Sequence, residues 1–219
     1  MNAAVTKTYL SPPFCEREIL RYAGVETADG EVFSLLDSCL KEVRDKFVYK
    51  VCYREFSVRV SGCDCDFGEF RLRSKSLAQN LSGCDKAIVF AATVGVEIDR
   101  LIAKYGRLSP SKALMLQAIG TERIEALCDV FCKTLEEEKK RKARPRFSAG
   151  YGDLPLEAQR EIFAVLDCAK RIGVCLNESM LMSPSKSVTA FVGLSEIGRG
   201  ETDKCGACSK MDCAFRSKI

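Results

Sequence analysis

Arg146-Phe147-Ser148-Ala149-Gly150-Tyr151-Gly152-Asp153-Leu154-Pro155 is the stretch on which the reading of this chain turns. A long charged helix pattern precedes it, and a new amphipathic pattern begins at Pro155, so it forms a loop between two helices. It carries a cation, two glycines and an aromatic side chain. Glycine lets a backbone approach a ligand closely, and an arginine fork matches a carboxylate or a phosphate. Pro155 suits the first turn of a helix, whose free amides favour anions. By spacing alone the segment is equally well an ordinary helix–helix loop with a basic edge.

Working outward, the preceding helix is expected from Pro110 to about Lys142, with Ser109 as its cap and Ile124, Leu127, Phe131 and Leu135 as its buried stripe. Its charged end, Glu136 to Lys142, places acids four residues before bases and cations at the C-terminus, a solvated helix end. Upstream, helices are expected over 15–22, 29–46, 74–81 and 96–105, the last stopping at Gly106. Residues 47–60 have strand character, 61–66 form a turn, and 67–72 form the return strand of a hairpin. Residues 86–94 are a fully buried strand. Downstream come a helix over 156–166, an extended or mixed segment over 172–182 and a strand over 187–194. The fold class is α+β, with a mixed or antiparallel sheet and long helices. Three parts are expected: an N-terminal α+β part over 1–106, a ligand-binding part over 107–198 and a cysteine-rich tail over 199–219.

The 219 residues suffice for one large domain or two small ones. A net charge of +4 is too mild to imply nucleic acid. The longest apolar run, Ala87 to Val96, is too short to span a bilayer, and no secretory signal is visible, so a cytoplasmic location is the expectation. There is no histidine, which removes histidine-based triads, HExxH zinc sites and the usual neutral-pH base. The 13 cysteines, in a reducing compartment, are mostly buried thiols. Gly150-x-Gly152-x-x-Pro155 lacks the third glycine and the leading strand of a dinucleotide fingerprint, and there is no P-loop.

Two segments together resemble a known family. Arg146-x-x-x-Gly150-Tyr151-x-x-x-Pro155 resembles the S-adenosylmethionine (SAM) site of the activation domain of cobalamin-dependent methionine synthase. Ile172-Gly173-Val174-Cys175-Leu176-Asn177-Glu178-Ser179-Met180-Leu181-Met182-Ser183-Pro184, followed by Ser187-Val188, resembles a second segment of the same family, in the right order. The resemblance covers roughly the second half of the chain. It implies that Arg146 binds the methionine carboxylate of SAM and that backbone around Ser148, Gly150 and Tyr151 takes the adenosyl part. It implies that Tyr151 lies beside the sulfonium and faces the partner's corrinoid ring. It also implies that Glu125 contacts the ligand's amino group, chemistry that suits a carboxylate; otherwise Glu125 is an ordinary helix glutamate. Cys128 and Cys132 share that helical face and are read as small core residues. The family's N-terminal aspartate has no match among the acidic residues of the first half.

The implied function is that of a free-standing SAM-binding reactivation protein. It would support reductive methylation of cob(II)alamin on a separate cobalamin-dependent methionine synthase or other corrinoid-binding protein, with a further protein donating the electron. No general acid or base is required, and proximity is the main contribution. The tail departs from the family pattern. Cys205, Cys208 and Cys213, at CxxC-x4-C spacing, suit thiolate ligation of zinc or an iron–sulfur cluster, with Cys63, Cys65 or a partner as fourth ligand. The alternatives are reduced thiols, a redox pair, or a metal-dependent electron-transfer protein built on these cysteines.

Overall fold

The structure, a computed structural model, describes residues 3–196. In chain order the elements are β1 (Val5–Thr8), α1 (Glu16–Tyr22), α2 (Gly30–Val43), β2 (Lys50–Ser57), β3 (Arg59–Ser61), β4 (Asp64–Asp66) and β5 (Arg71–Arg73). Then come α3 (Lys75–Asn80), β6 (Lys86–Thr93), α4 (Glu97–Leu108), α5 (Pro110–Lys139) and β7 (Lys142–Ala143). A 3-10 turn (Leu156–Ala158) leads into α6 (Gln159–Leu166), α7 (Cys168–Ile172), β8 (Cys175–Leu176), β9 (Met182–Ser183) and β10 (Ser187–Ser195).

The chain is α+β, organised on a five-stranded sheet of order β1-β2-β6-β10-β7 whose neighbouring strands all pair antiparallel. The apolar run of β6 is continuous because both faces of the strand are covered: Ala87 through Thr93 are all buried. Alternate residues serve opposite layers. Ile88, Phe90 and Ala92, with Ala190, Val192 and Leu194 of β10, pack against the helical layer that includes Ile19, Leu36, Ile98 and the α5 stripe Ile124, Leu127, Phe131 and Leu135. Ala87, Val89, Ala91 and Phe191 pack against α3, α6, α7 and a second, small sheet of order β3-β4-β5. The five-stranded sheet therefore takes strands from both sides of residue 106.

Several local expectations are corrected. The strand region 47–60 holds β2 and most of β3, and β3 continues into a three-stranded meander with β4 and β5. Gly62 (φ +60) and Gly68 (φ +85) provide turns that end each strand after three residues. Phe67 and Phe70 lie outside the strands and stack on each other at 4.7 Å, while Phe56 meets Phe70 edge-on. The α4 helix runs through Gly106 to Leu108, and α5 stops at Lys139, where Lys140 turns left-handed (φ 50). The charges at the end of α5 bond to the sheet rather than along the helix: Lys7 to Glu138 and Lys139 to Glu55, each at 2.5 Å. Strand β1 has no apolar alternation; it is an edge strand, mostly exposed.

One buried ion pair fixes the N-terminal segment. Arg123 on α5 is fully buried and bonds its neighbour Glu122 through Nε and Nη2, each at 2.5 Å. The same guanidinium donates to the carbonyls of Pro12 at 2.5 Å and Pro13 at 2.7 Å. The Cys15 amide donates to Glu122 at 3.2 Å, and the Phe14 ring lies 4.0 Å from the guanidinium carbon. With every polar group partnered, the pair seats the segment that leads into α1.

Candidate functional site

Helix α5 presents a second acidic face just beyond that buried pair. Glu125 and Asp129 are four residues apart and so project from one side. Arg146 reaches both: Nη2 donates to Glu125 Oε2 and Nη1 to Asp129 Oδ1, each at 2.6 Å. The arginine side chain is 14% exposed, against 41% for Glu125 and 57% for Asp129. Burial opposes the guanidinium charge, but Cys128, Glu125 and Asp129 around it outweigh burial and hold its pKa above the ordinary value. The Cys128 thiol is itself pushed up by burial and is neutral, so the two carboxylates supply the field. Two of the five N–H donors of Arg146 are used in these pairs, which leaves donors for a further anion. Glu125 also acts on Tyr22 at the end of α1, whose phenol pKa is raised by burial first and then by that carboxylate.

The loop after Arg146 is held by its backbone. Phe147 exchanges two hydrogen bonds with Phe191 of β10, at 2.9 and 2.8 Å, and the Arg144 amide donates to Gly193 at 2.8 Å. The loop thus starts as an extra rung on the sheet, which sends Phe147 into the layer with α3, α6 and α7 and Arg146 toward α5. Gly150 (φ +86) donates to the Leu154 carbonyl at 2.9 Å, and Tyr151 donates to the Ser148 carbonyl at 3.1 Å. Gly152 (φ +55) lies so close to α3 that a Cβ there would stand 2.5 Å from Ser76 Oγ. Asp153 caps α3: its carboxylate accepts from the Ser74 hydroxyl at 2.5 Å, the Lys75 amide at 2.7 Å and the Ser76 amide at 3.0 Å. These bonds, the Ser74 hydroxyl first, hold the Asp153 carboxyl well below the usual carboxylate range.

Tyr151 stands at the tip, 57% exposed, edge-on to Phe147 with ring centroids 6.0 Å apart. Its neighbour Gly150 is exposed, and Ser148 is partly buried. Pro155 is extended (φ −64, ψ 149) and precedes a three-residue 3-10 turn, so the anion-binding helix start expected after it is not built.

The structure brings Arg146 and Glu125 into contact and sets the Ser148–Tyr151 backbone directly after them. The second motif, 172–188, leads into β10. Asn177 closes the β8–β9 turn, accepting from the Leu181 amide at 2.9 Å. Ser187 bonds the Pro184 carbonyl at 2.8 Å and lies 2.9 Å from the Thr93 hydroxyl. Ile172 and Val174 share a core with Ala149 and Leu154 of the first motif, and β10, into which the segment leads, meets that motif at the Phe147–Phe191 rung. Asp129 and Asp153 were not foreseen. Asp129 had a signal, a second acid one turn beyond Glu125; Asp153 lies 79 residues from Ser74 and had none.

Cys205, Cys208 and Cys213 lie outside the described residues. Their suggested fourth ligands differ in access: Cys65 is buried and Cys63 partly buried. Among the described residues no group of three or more Cys, His, Asp or Glu side chains is placed to hold a metal ion. No helix among them is long and apolar enough to cross a membrane.

A search of curated proteins finds no match. The fold is similar to a solved structure described as the MetH reactivation domain bound to AdoHcy, with a TM-score of 0.65 and 14% sequence identity, covering 91% of this chain and 80% of that one. A family model described as "Vitamin B12 dependent methionine synthase, activation domain" matches residues 75–197, from the start of α3 past the end of β10. That match spans more than half of the 219 residues and contains both motifs, and the chain belongs to the family of vitamin B12-dependent methionine synthase activation domains.

Proposed function

We propose that this chain binds SAM across the Arg146–Tyr151 loop and the acidic face of α5, and presents it to a cobalamin held by a corrinoid protein or methionine synthase. The observation that carries this reading is the Glu125–Arg146–Asp129 cluster beside the Gly150–Tyr151 backbone. The amino-acid end of SAM is a zwitterion. A guanidinium with unused donors suits its carboxylate, and two partly exposed carboxylates suit its ammonium. The exposed Tyr151 ring provides a π face for a sulfonium, and the positive-φ glycines keep the backbone low beside the adenosyl group.

When bound, SAM supplies the methyl group for reductive methylation of cob(II)alamin, with the electron coming from a donor protein. This chain's part is to bind and orient, and the whole contribution is positional. The test is calorimetry with SAM and with its demethylated product, NAD and ATP serving as controls, followed by co-purification with a corrinoid protein. Selective binding of SAM or the product is expected. No binding, with or without the corrinoid partner, rejects the reading.

The Cys205, Cys208 and Cys213 spacing supports a second, compatible role: ligation of zinc or an iron–sulfur cluster, which near the SAM site would place an electron source on the same chain. Metal and sulfide analysis of anaerobically purified protein, beside the triple Ser variant, decides it. Equal, near-zero content in both rejects it.

A further inference from the structure

Arg144 and Arg146 stand two residues apart on one stretch, yet they serve opposite layers. In a regular strand such residues share a face. Arg146 reaches Glu125 and Asp129 of α5. Arg144 turns the other way: its Nη2 donates to the Ser82 carbonyl, just after α3, at 3.2 Å. Its stem crosses β10 at Gly193, where a Cβ would stand 3.3 Å from Arg144 Cγ. The pairing on either side gives the cause. Ala143 pairs with Leu194, and Phe147 pairs with Phe191. Between these pairs β10 has Val192 and Gly193, while the facing stretch has Arg144, Pro145 and Arg146. The extra residue is a β-bulge, which reverses the faces beyond it. Ala143 accordingly packs with the helical layer, and Phe147 packs with the layer of α3, α6 and α7.

Pro145 sits at the centre of the bulge. Proline has no N–H for a ladder, and sheets tolerate it at edges and bulges. Its carbonyl takes a bond from another element: Asn80, the last residue of α3, donates through Nδ2 at 3.1 Å. Asn80 is partly buried, and its Oδ1 is buried with no hydrogen-bond partner among the described residues. The Pro145 carbonyl therefore orients this amide. The residue that follows that carbonyl is Arg146, so the Asn80 bond lies one peptide unit from the guanidinium's own backbone.

We propose that Asn80 is a positioning residue of this site: it holds the bulge at Pro145 and so aims Arg146 at Glu125 and Asp129, where the ligand's amino-acid end binds. The assignment rests on the SAM reading above and adds to it the element that sets the direction of its cation. Asn80 itself touches no ligand; it acts through the Pro145–Arg146 backbone.

The experiment compares wild type with Asn80→Asp, which keeps the shape but sets a carboxylate oxygen where the N–H was, and with Asn80→Ala, which removes the group. Circular dichroism checks the fold of both. Nuclear magnetic resonance follows the assigned arginine Nε–H signals of the free protein, and calorimetry follows SAM. Arg123, held by its own buried pair, is the internal reference. Both variants should shift the Arg146 signal, leave the Arg123 signal in place and weaken SAM about fivefold, the loss expected when one neutral bond is removed. Equal shifts at both arginines make Asn80 a general support of the fold and overturn the assignment. An unmoved Arg146 signal, or unchanged SAM affinity beside a wild type that binds it, also overturns the assignment and leaves the SAM reading standing. A wild type that binds no SAM overturns both.

Discussion

Helix α5 carries the glutamates of two glutamate–arginine pairs within a single turn, and their environments differ. Glu122–Arg123 is 5% and 0% exposed, and all its neighbours are fixed groups of the N-terminal segment. Glu125–Arg146 is 41% and 14% exposed, and its arginine arrives on a loop. The first pair has no spare access and organises the chain. The second has spare donors, a solvent-facing side and a second carboxylate, so its partners are exchangeable. Identical chemistry thus divides into a structural clamp and a candidate ligand site by burial alone.

The sharpest way to break this contrast is Arg123→Ala. It leaves Glu122 buried without its cation and frees the Pro12 and Pro13 carbonyls, so a loss of about 3–5 kcal/mol is expected. Urea unfolding measures it; a change below about 1 kcal/mol, the value usual for exposed pairs, would erase the distinction.

Next in size is Gly152→Ala, which tests the loop that delivers Arg146. Alanine is strained at φ +55, and its Cβ would sit 2.7 Å from Ser76 Cβ and closer still to its hydroxyl. The strain and the overpacking together are expected to cost about 2–3 kcal/mol. Hydrogen exchange should show lost protection in α3 and the loop and unchanged protection around Arg123; uniform loss would mean the two regions are not separate.

Arg146→Ala should instead move ligand affinity more than stability. Loss of the fork is expected to weaken SAM by about 2 kcal/mol, roughly thirtyfold, with Lys recovering only part. The unfolding midpoint should change little, since the pair is partly exposed. Arg144→Ala is the control for affinity. Wild-type SAM binding in both variants would place the site elsewhere.

These pairs also show what the sequence made legible. The stripe Ile124, Leu127, Phe131 and Leu135 and the strands 86–94 and 187–194 stand out because period and apolar content are local properties. Arg146 came forward through the first motif and Glu125 through the glutamate that the family carries on the corresponding helix, and the structure puts them in contact. Arg123 had no signal: its partners Pro12 and Pro13 lie more than a hundred residues away, and a charged residue on a helix is normally at the surface. Strand β1 was missed because an exposed edge strand needs no apolar alternation.

The smallest expected effect belongs to Asp153→Asn, at the far end of the same loop. The Asp153 carboxylate accepts three bonds from the start of α3, and these hold its pKa below the ordinary 3.8. A carboxyl with a lowered pKa in the folded state binds fewer protons there than in the unfolded chain, so its stabilisation is complete above the unfolded value and fades as pH falls below it. Asparagine has one acceptor oxygen and no charge, so it cannot replace the carboxylate at neutral pH. The stability curves of wild type and Asp153→Asn should therefore be apart above about pH 5 and draw together as pH falls through 3.8 and below. Curves that keep a constant separation down to the acid limit would mean that the bonds from Ser74, Lys75 and Ser76 do not depend on the charge, and that the glycines alone hold the loop against α3.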